Sequence, residues 1–217
     1  MRQPADSYRE PAFLRVANAM RDDILTGRLA SGASLIEAEL TAAHGVSRNT
    51  LREAMHLLRQ QGLVSHEPNR SVRVRKLTRA DIHDIFVVRR VVETGALRNR
   101  TTVSAIHLDG LHAVIRDMEE AVQGGAWPQV ARHSLRFHQA IVSLHDSPFF
   151  DQMFALLVTR LRLIFATGNE QAFHEPWVKR EIRIYHLITD GQYEAAADHL
   201  LAYLLDAEVL LTTLIQG

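Results

Sequence analysis

The sequence predicts a mainly α protein in two parts: an N-terminal winged helix-turn-helix of three helices and a β-hairpin, then an all-α six-helix bundle. Three observations carry this. Apolar residues recur at helical spacing from Phe13 to Leu58, two short alternating segments interrupt that pattern between Leu63 and Val74, and from Arg79 onward it is helical throughout.

Phe13, Val16, Met20 and Ile24 fall on one helix face, and Gly27 stops that helix. Leu29 to Ser34 reads as a loop. Ile36, Leu40 and Ala43 mark a short second helix ending near Gly45. Ser47 is a natural N-cap for a third, which buries Leu51, Ala54, Met55 and Leu58 and ends at Gly62. Leu63 to His66 and Val72 to Val74 read as strands, with Glu67 to Ser71 as the turn and Asn69 suited to a left-handed residue. Lys76 to Arg79 reads as a linker. The expected domains are a flexible tail over residues 1–12, the winged helix over 13–76 and the helical domain over 77–217. In the last, helices are expected over Arg79–Arg100, Ser104–Gln123, Pro128–His145, Phe149–Thr167, Glu175–Thr189 and Tyr193–Ile215, broken at Gly124-Gly125 and Asp190-Gly191. Ile106 to Gly110 is poorly amphipathic and argues for a later start to the second of these.

The formal net charge of zero hides an asymmetry: 12 Lys and Arg against 8 Asp and Glu up to Thr78, then 13 against 17 from Arg79. A basic segment joined to an acidic one fits a polyanion-binding module attached to something else. The absence of Cys excludes a disulfide framework and fits a reducing interior. There is no apolar leader and no stretch near 18 apolar residues, so a cytoplasmic protein without membrane contact is expected. An enzyme is disfavoured, because no nucleophile elbow or phosphate loop occurs and none of the 12 His lies three or four residues from another.

The stretch HGVSRNTLREAM, His44 to Met55, points to function. In a helix-turn-helix the second helix enters the major groove with its N-terminal residues at base edges. Arg48 and Arg52 share a face away from the apolar one. Arg matches guanine O6/N7 or a phosphate, and Asn49 can pair with adenine. The helix start itself favours phosphate, with Ser47 and Thr50 adding hydroxyls, and Arg70, Arg73, Arg75 and Lys76 on the wing add phosphate contacts. The bland alternative is a solvated face in which Arg52 pairs with neighbours such as Glu53 or Asp22.

Leu35 to Val74 resembles the winged helix of the GntR family. Ser47-Arg48, Leu51-Arg52-Glu53-Ala54, Leu58 and Gly62-Leu63-Val64 sit in the family pattern, whose arginines matching Arg48 and Arg52 bind operator DNA. Ala38 stands where many members carry another DNA-contacting Arg, and Asn69-Arg70-Ser71 replaces a Gly-x-Gly wing tip. The second half resembles the FCD effector domain of the FadR-type subgroup through Val88-Arg89 with Glu93, Arg136-Phe137-His138, and Asp190-Gly191 before Ala195-Ala196-Ala197. Many FCD domains hold a divalent metal on an Asp and three His. Here only His138 is retained, and Ser134, Glu181 and Tyr203 occupy the other three places. Zn²⁺ or a similar ion is one possible cofactor. A metal-free pocket, in which Ser134, His138, Glu181 and Tyr203 form hydrogen bonds with His199 joining them, is the preferred reading. Arg89 either faces an anionic ligand or pairs with Glu93 one turn on. The resemblance implies a homodimeric repressor on a pseudo-palindromic double-stranded operator, responding to a small, anionic effector. The alternative is a constitutive DNA-binding protein whose bundle serves only dimerisation.

Overall fold

The structure, a computed structural model, describes residues 10–66, 72–98, 100–165 and 170–215. Two compact units divide the chain, Met1–Lys76 and Leu77–Gly217.

The first unit runs α1 (Ala12–Leu25), α2 (Glu37–His44), α3 (Arg48–Gln60), β1 (Val64–His66) and β2 (Val72–Val74). α1 packs on α3 because each presents one apolar stripe: Val16, Ala17, Met20 and Ile24 on α1, and Leu51, Ala54, Met55 and Leu58 on α3. Leu35, Leu63, Val64 and Val74 complete this core. The strands pair antiparallel in the register Val64↔Val74, Ser65↔Arg73 and His66↔Val72. The segment read as a loop also pairs with β2: Leu35 N donates to Val72 O at 2.8 Å and Val74 N to Ala33 O at 2.9 Å. Its Gly and Ser residues hid this short extended pairing. The apolar row expected on α2 is not a buried face, since Ile36 is 47% exposed and no α2 residue is fully buried. Gly45 adopts φ 61°, the left-handed stop that turns the chain from α2 into α3. The expected wing turn, Glu67 to Ser71 with Asn69 and Arg70, lies outside the described residues, as do residues 1–9 of the expected tail.

The second unit runs α4 (Arg79–Leu97), α5 (Ala105–Gln123), α6 (Trp127–Ser143), α7 (Pro148–Phe165), α8 (Glu170–Thr189) and α9 (Tyr193–Leu214). The expected linker supplies the cap of α4. Thr78 Oγ1 accepts from Asp81 N at 3.2 Å and Asp81 Oδ2 accepts from Thr78 N at 2.8 Å, a capping box worth about 1 kcal/mol. α5 starts directly after Ser104, whose hydroxyl caps it, even though Ile106 is left 82% exposed. The cap, rather than amphipathicity, decides that start. α8 begins at Glu170, before the expected Glu175, and continues through Pro176. Proline reads in sequence as a helix start, but here earlier turns precede it. Among the described residues no helix is long and apolar enough to cross a membrane.

α6 packs against α4, α5, α7 and α8, and α9 packs against α4 and α8. The interior is therefore enclosed chiefly by α4, α6, α8 and α9. Phe86, Phe137 and Phe154 are fully buried in this unit.

Candidate functional site

In the winged unit, Ser47 caps α3 as its sequence predicts: Oγ accepts from Thr50 N at 3.1 Å. Ser47, Arg48, Asn49 and Arg52 are exposed and Thr50 is half-buried, so the polar start of α3 faces outward while Leu51, Ala54, Met55 and Leu58 face the core. Arg52 does not pair with Glu53 or Asp22. Its partner is Glu37 at the start of α2, with Nε to Oε1 at 2.9 Å and Nη2 to Oε2 at 3.3 Å. The hydrogen bond from Arg52, with the charges of Arg52 and Arg48, holds the exposed Glu37 carboxyl below its ordinary range. Asn49 Nδ2 donates to Glu53 at 3.2 Å. Arg73 is exposed on β2, with Nη1 donating to Gly32 O at 3.1 Å. Arg70 lies outside the described residues.

In the helical unit a buried polar cluster is built from four helices. Arg89 and Glu93 lie one turn apart on α4, Ser134 and His138 one turn apart on α6, Glu181 on α8 and Tyr203 on α9. Arg89, Glu93, His138, Glu181 and Tyr203 are each 5% exposed or less. Arg89 Nε donates to Glu93 Oε1 at 2.7 Å, and the other oxygen of Glu93 meets His138 Nδ1 at 2.6 Å. Glu181 Oε1 accepts from Ser134 Oγ at 2.5 Å and Tyr203 OH at 2.7 Å, and lies 3.5 Å from His138 Nε2 without a hydrogen bond. The Tyr203 ring packs against His138 and Trp177, each with centroids 5.0 Å away, and Arg89 sits over Phe86.

Burial pushes the Glu93 carboxyl up, but the charges of Arg89 and His138 and their hydrogen bonds bring it below its ordinary value. Burial is the largest influence on His138 and opposes a charge there, as does Arg89, but the carboxylates of Glu93 and Glu181 together raise the ring's pKa, so Nδ1–H donates to an ionised Glu93. Burial and the charge of Glu181 push the Tyr203 phenol well above its ordinary range. His174, also buried, is pushed down to about 4 by burial, against the pull of Glu181. Among the described residues, three atoms of the cluster have no hydrogen-bond partner: Arg89 Nη2, His138 Nε2 and Glu181 Oε2. Arg160 Nε on α7 is buried in the same condition.

The four residues that the resemblance sets at ligand positions, Ser134, His138, Glu181 and Tyr203, thus lie together around the Glu181 carboxylate. They do not fit a metal. Ser134 and a protonated Tyr203 are poor ligands and already donate to Glu181, leaving one imidazole nitrogen and one carboxylate oxygen where a Zn²⁺ site takes three or four protein donors. His199 is a correction: Tyr203 lies at the edge of the buried stripe of α9 formed with Ala197, Leu200, Leu204 and Leu211, and His199, one turn earlier, falls just past that edge, so it is exposed and does not join the cluster. Of the two readings of Arg89, the pairing with Glu93 is present, as a buried ion pair rather than a surface one, and Nη2 is left without a hydrogen-bond partner. The sequence reading missed the centrality of Glu93. The i,i+4 spacing to Arg89 was visible, while its second partner, His138, is 45 residues away on another helix.

Comparison with known proteins gives matches to both units. Residues 13–74 match the family described as bacterial regulatory proteins, gntR family, and residues 84–206 match the FCD domain. A solved structure of a putative transcriptional regulator GntR from Rhodococcus sp. RHA1 is 34% identical, covers 93% of this chain and 97% of its own, and has a TM-score of 0.85. A probable D-xylose utilization operon transcriptional repressor of Paenarthrobacter nicotinovorans is 30% identical over 197 residues, 87% of each chain. An HTH-type transcriptional regulator of Bacillus subtilis (strain 168) is 26% identical over 198 residues, 89% of this chain and 88% of its own.

Proposed function

The chain belongs to the GntR family of DNA-binding transcriptional regulators, with an FCD domain behind its winged helix, and from that premise we propose that it is a repressor released or tightened by a polyhydroxylated small molecule bound at the buried cluster. Its family and relatives are regulators, not enzymes. The observation that carries the ligand is the trio of buried atoms without a hydrogen bond, of which His138 Nε2 has only the Glu181 carboxylate 3.5 Å away. An unmet buried polar group costs about 1–3 kcal/mol, more when charged, so a molecule supplying the missing partners gains that free energy on binding. Arg89 Nη2 and charged His138 Nε2 are donors and Glu181 Oε2 is an acceptor. A hydroxyl both donates and accepts, which makes a sugar or sugar acid the matching chemistry, with any carboxylate falling to Arg89. The relative named for D-xylose utilization supports this class. The repressor sign follows that relative's name, and the DNA target sets the place of action in the cytoplasm.

Thermal unfolding with a panel of pentoses, hexoses and their aldonic acids tests the reading. At least one member is expected to raise Tm in the native protein and to have no effect on Glu181→Gln. A panel without any shift would overturn it.

Operator reading by Ser47, Arg48, Asn49, Thr50, Arg52 and the wing arginines Arg70 and Arg73 belongs to the same proposal. So does a homodimer, whose two-fold axis matches a pseudo-palindromic site. α4 exposes Val87 and Val91 at 41% and 70%, and α9 exposes Leu205 and Val209 at 47% and 69%. These rows lie side by side, because His83 and Arg90 on α4 both bond Glu208 on α9. An apolar patch of this kind supports an interface between copies. Val91→Asp is expected to convert the dimer to monomer in light scattering. An unchanged dimer mass would place the interface elsewhere.

A further inference from the structure

We propose that Glu37 is a positioning residue that makes Arg52 a reader of guanine rather than a general phosphate contact. The inference rests on the DNA-reading role proposed for Arg52. The observation behind it is the geometry of the pair. The two oxygens of Glu37 take Nε–H and one Nη2–H, at 2.9 and 3.3 Å, from the side of the guanidinium. What remains is its far edge, Nη1 with the second Nη2 hydrogen. Those two parallel N–H groups have the spacing to donate to guanine O6 and N7 together.

The pair joins α2 to α3 across 15 residues of sequence. It is open to solvent, with Arg52 67% and Glu37 41% exposed, so it adds little to folding stability. Its consequence lies in the side chain it holds. A free, exposed arginine sweeps many rotamers, and its full charge is drawn to whichever phosphate is nearest. Arg52 on Glu37 has its fork fixed in one plane and its charge partly offset, so phosphate attraction falls while directional hydrogen bonding at the free edge is kept. Arg48 has no such carboxylate partner among the described contacts, and its charge also falls on Glu37. Arg48 and Arg52, at the start of α3, therefore differ in kind: one carries an unrestrained charge and the other an oriented fork.

The test is binding of the full-length protein to its operator, to single-base variants of the operator at each guanine, and to random-sequence DNA, over a salt series. Glu37→Gln removes one negative charge and keeps a neutral acceptor. It is expected to hold or raise affinity for random DNA, to cut discrimination at one guanine per half-site about tenfold, and to steepen the salt dependence by about one released ion, as Arg52 turns to phosphate. Glu37→Asp, which keeps the charge, is expected to recover part of the discrimination. In an Arg52→Lys background, Glu37→Gln should change discrimination no further. If Glu37→Gln raises operator and random-DNA affinity alike with discrimination unchanged, Glu37 only repels the backbone and the proposal fails. Additive effects of Glu37→Gln and Arg52→Lys would also overturn it. If Arg52→Ala itself keeps native specificity, the reading of α3 fails, and this inference with it.

Discussion

Arg52→Ala is expected to abolish specific operator binding while leaving the winged unit folded. The side chain lies off the buried stripe of α3, and its partner among the described residues, Glu37, has a solvent-exposed side chain, so its removal opens no cavity and strands no buried charge. Losing a bidentate contact to a base costs discrimination of about 5- to 150-fold per half-site, and a two-fold symmetric dimer loses it twice. Affinity for random-sequence DNA should fall far less, because the basic wing and the start of α3 still attract phosphate. Fluorescence anisotropy on operator and scrambled fragments, beside the far-ultraviolet melting curve, separates the two effects. Operator binding near native strength would remove α3 from the role given to it.

Glu93→Ala is expected to be the most destabilising single change in the helical unit that leaves its apolar core untouched. Glu93 is fully buried and holds Arg89 and His138 on its two oxygens. Without it, the Arg89 guanidinium is a buried charge with no counter-ion, and breaking such a pair from one side costs about 3–5 kcal/mol. For a unit of this size that lowers Tm by about 10–15 °C. Replacing both partners at once, Arg89→Met with Glu93→Leu, should cost much less, since it removes both charges together. The interaction also has a pH window. His138 is raised above 6.5 in the folded protein, so its share is full below that value and is lost as pH rises through the folded pKa. Glu93 is lowered below 4.5, so its share is full above that value and is lost as pH falls. The native protein should therefore exceed Glu93→Ala in stability by most at mildly acidic pH. A loss under 1 kcal/mol would mean that water reaches Arg89.

Sequence legibility followed the range of the interactions concerned. α3 was readable almost residue for residue, because its cap, its apolar stripe and its exposed arginines are all set by spacing within one helix. The cluster was readable where family positions mark it, at Ser134, His138, Glu181 and Tyr203, and at Arg89 as a charge among apolar neighbours. What escaped was pairing across helices. Nothing near Glu93 in sequence reveals His138, nothing near Arg52 reveals Glu37, and one turn of α9 suffices to separate a buried Tyr203 from an exposed His199. α2 misled because a short helix with Ile36, Leu40 and Ala43 looks amphipathic, yet buries none of them fully.

The central claim is that occupancy of the cluster on α4, α6, α8 and α9 changes how tightly the winged unit holds DNA. Its most direct measurement is an operator titration in metal-free buffer, with and without whichever sugar or aldonic acid raises Tm. Coupling between two such sites amounts to about 1–3 kcal/mol, so the operator Kd should move 5- to 150-fold in the native protein and stay fixed in Glu181→Gln. An operator isotherm that does not move at saturating ligand would contradict the claim and leave the bundle a dimerisation module alone.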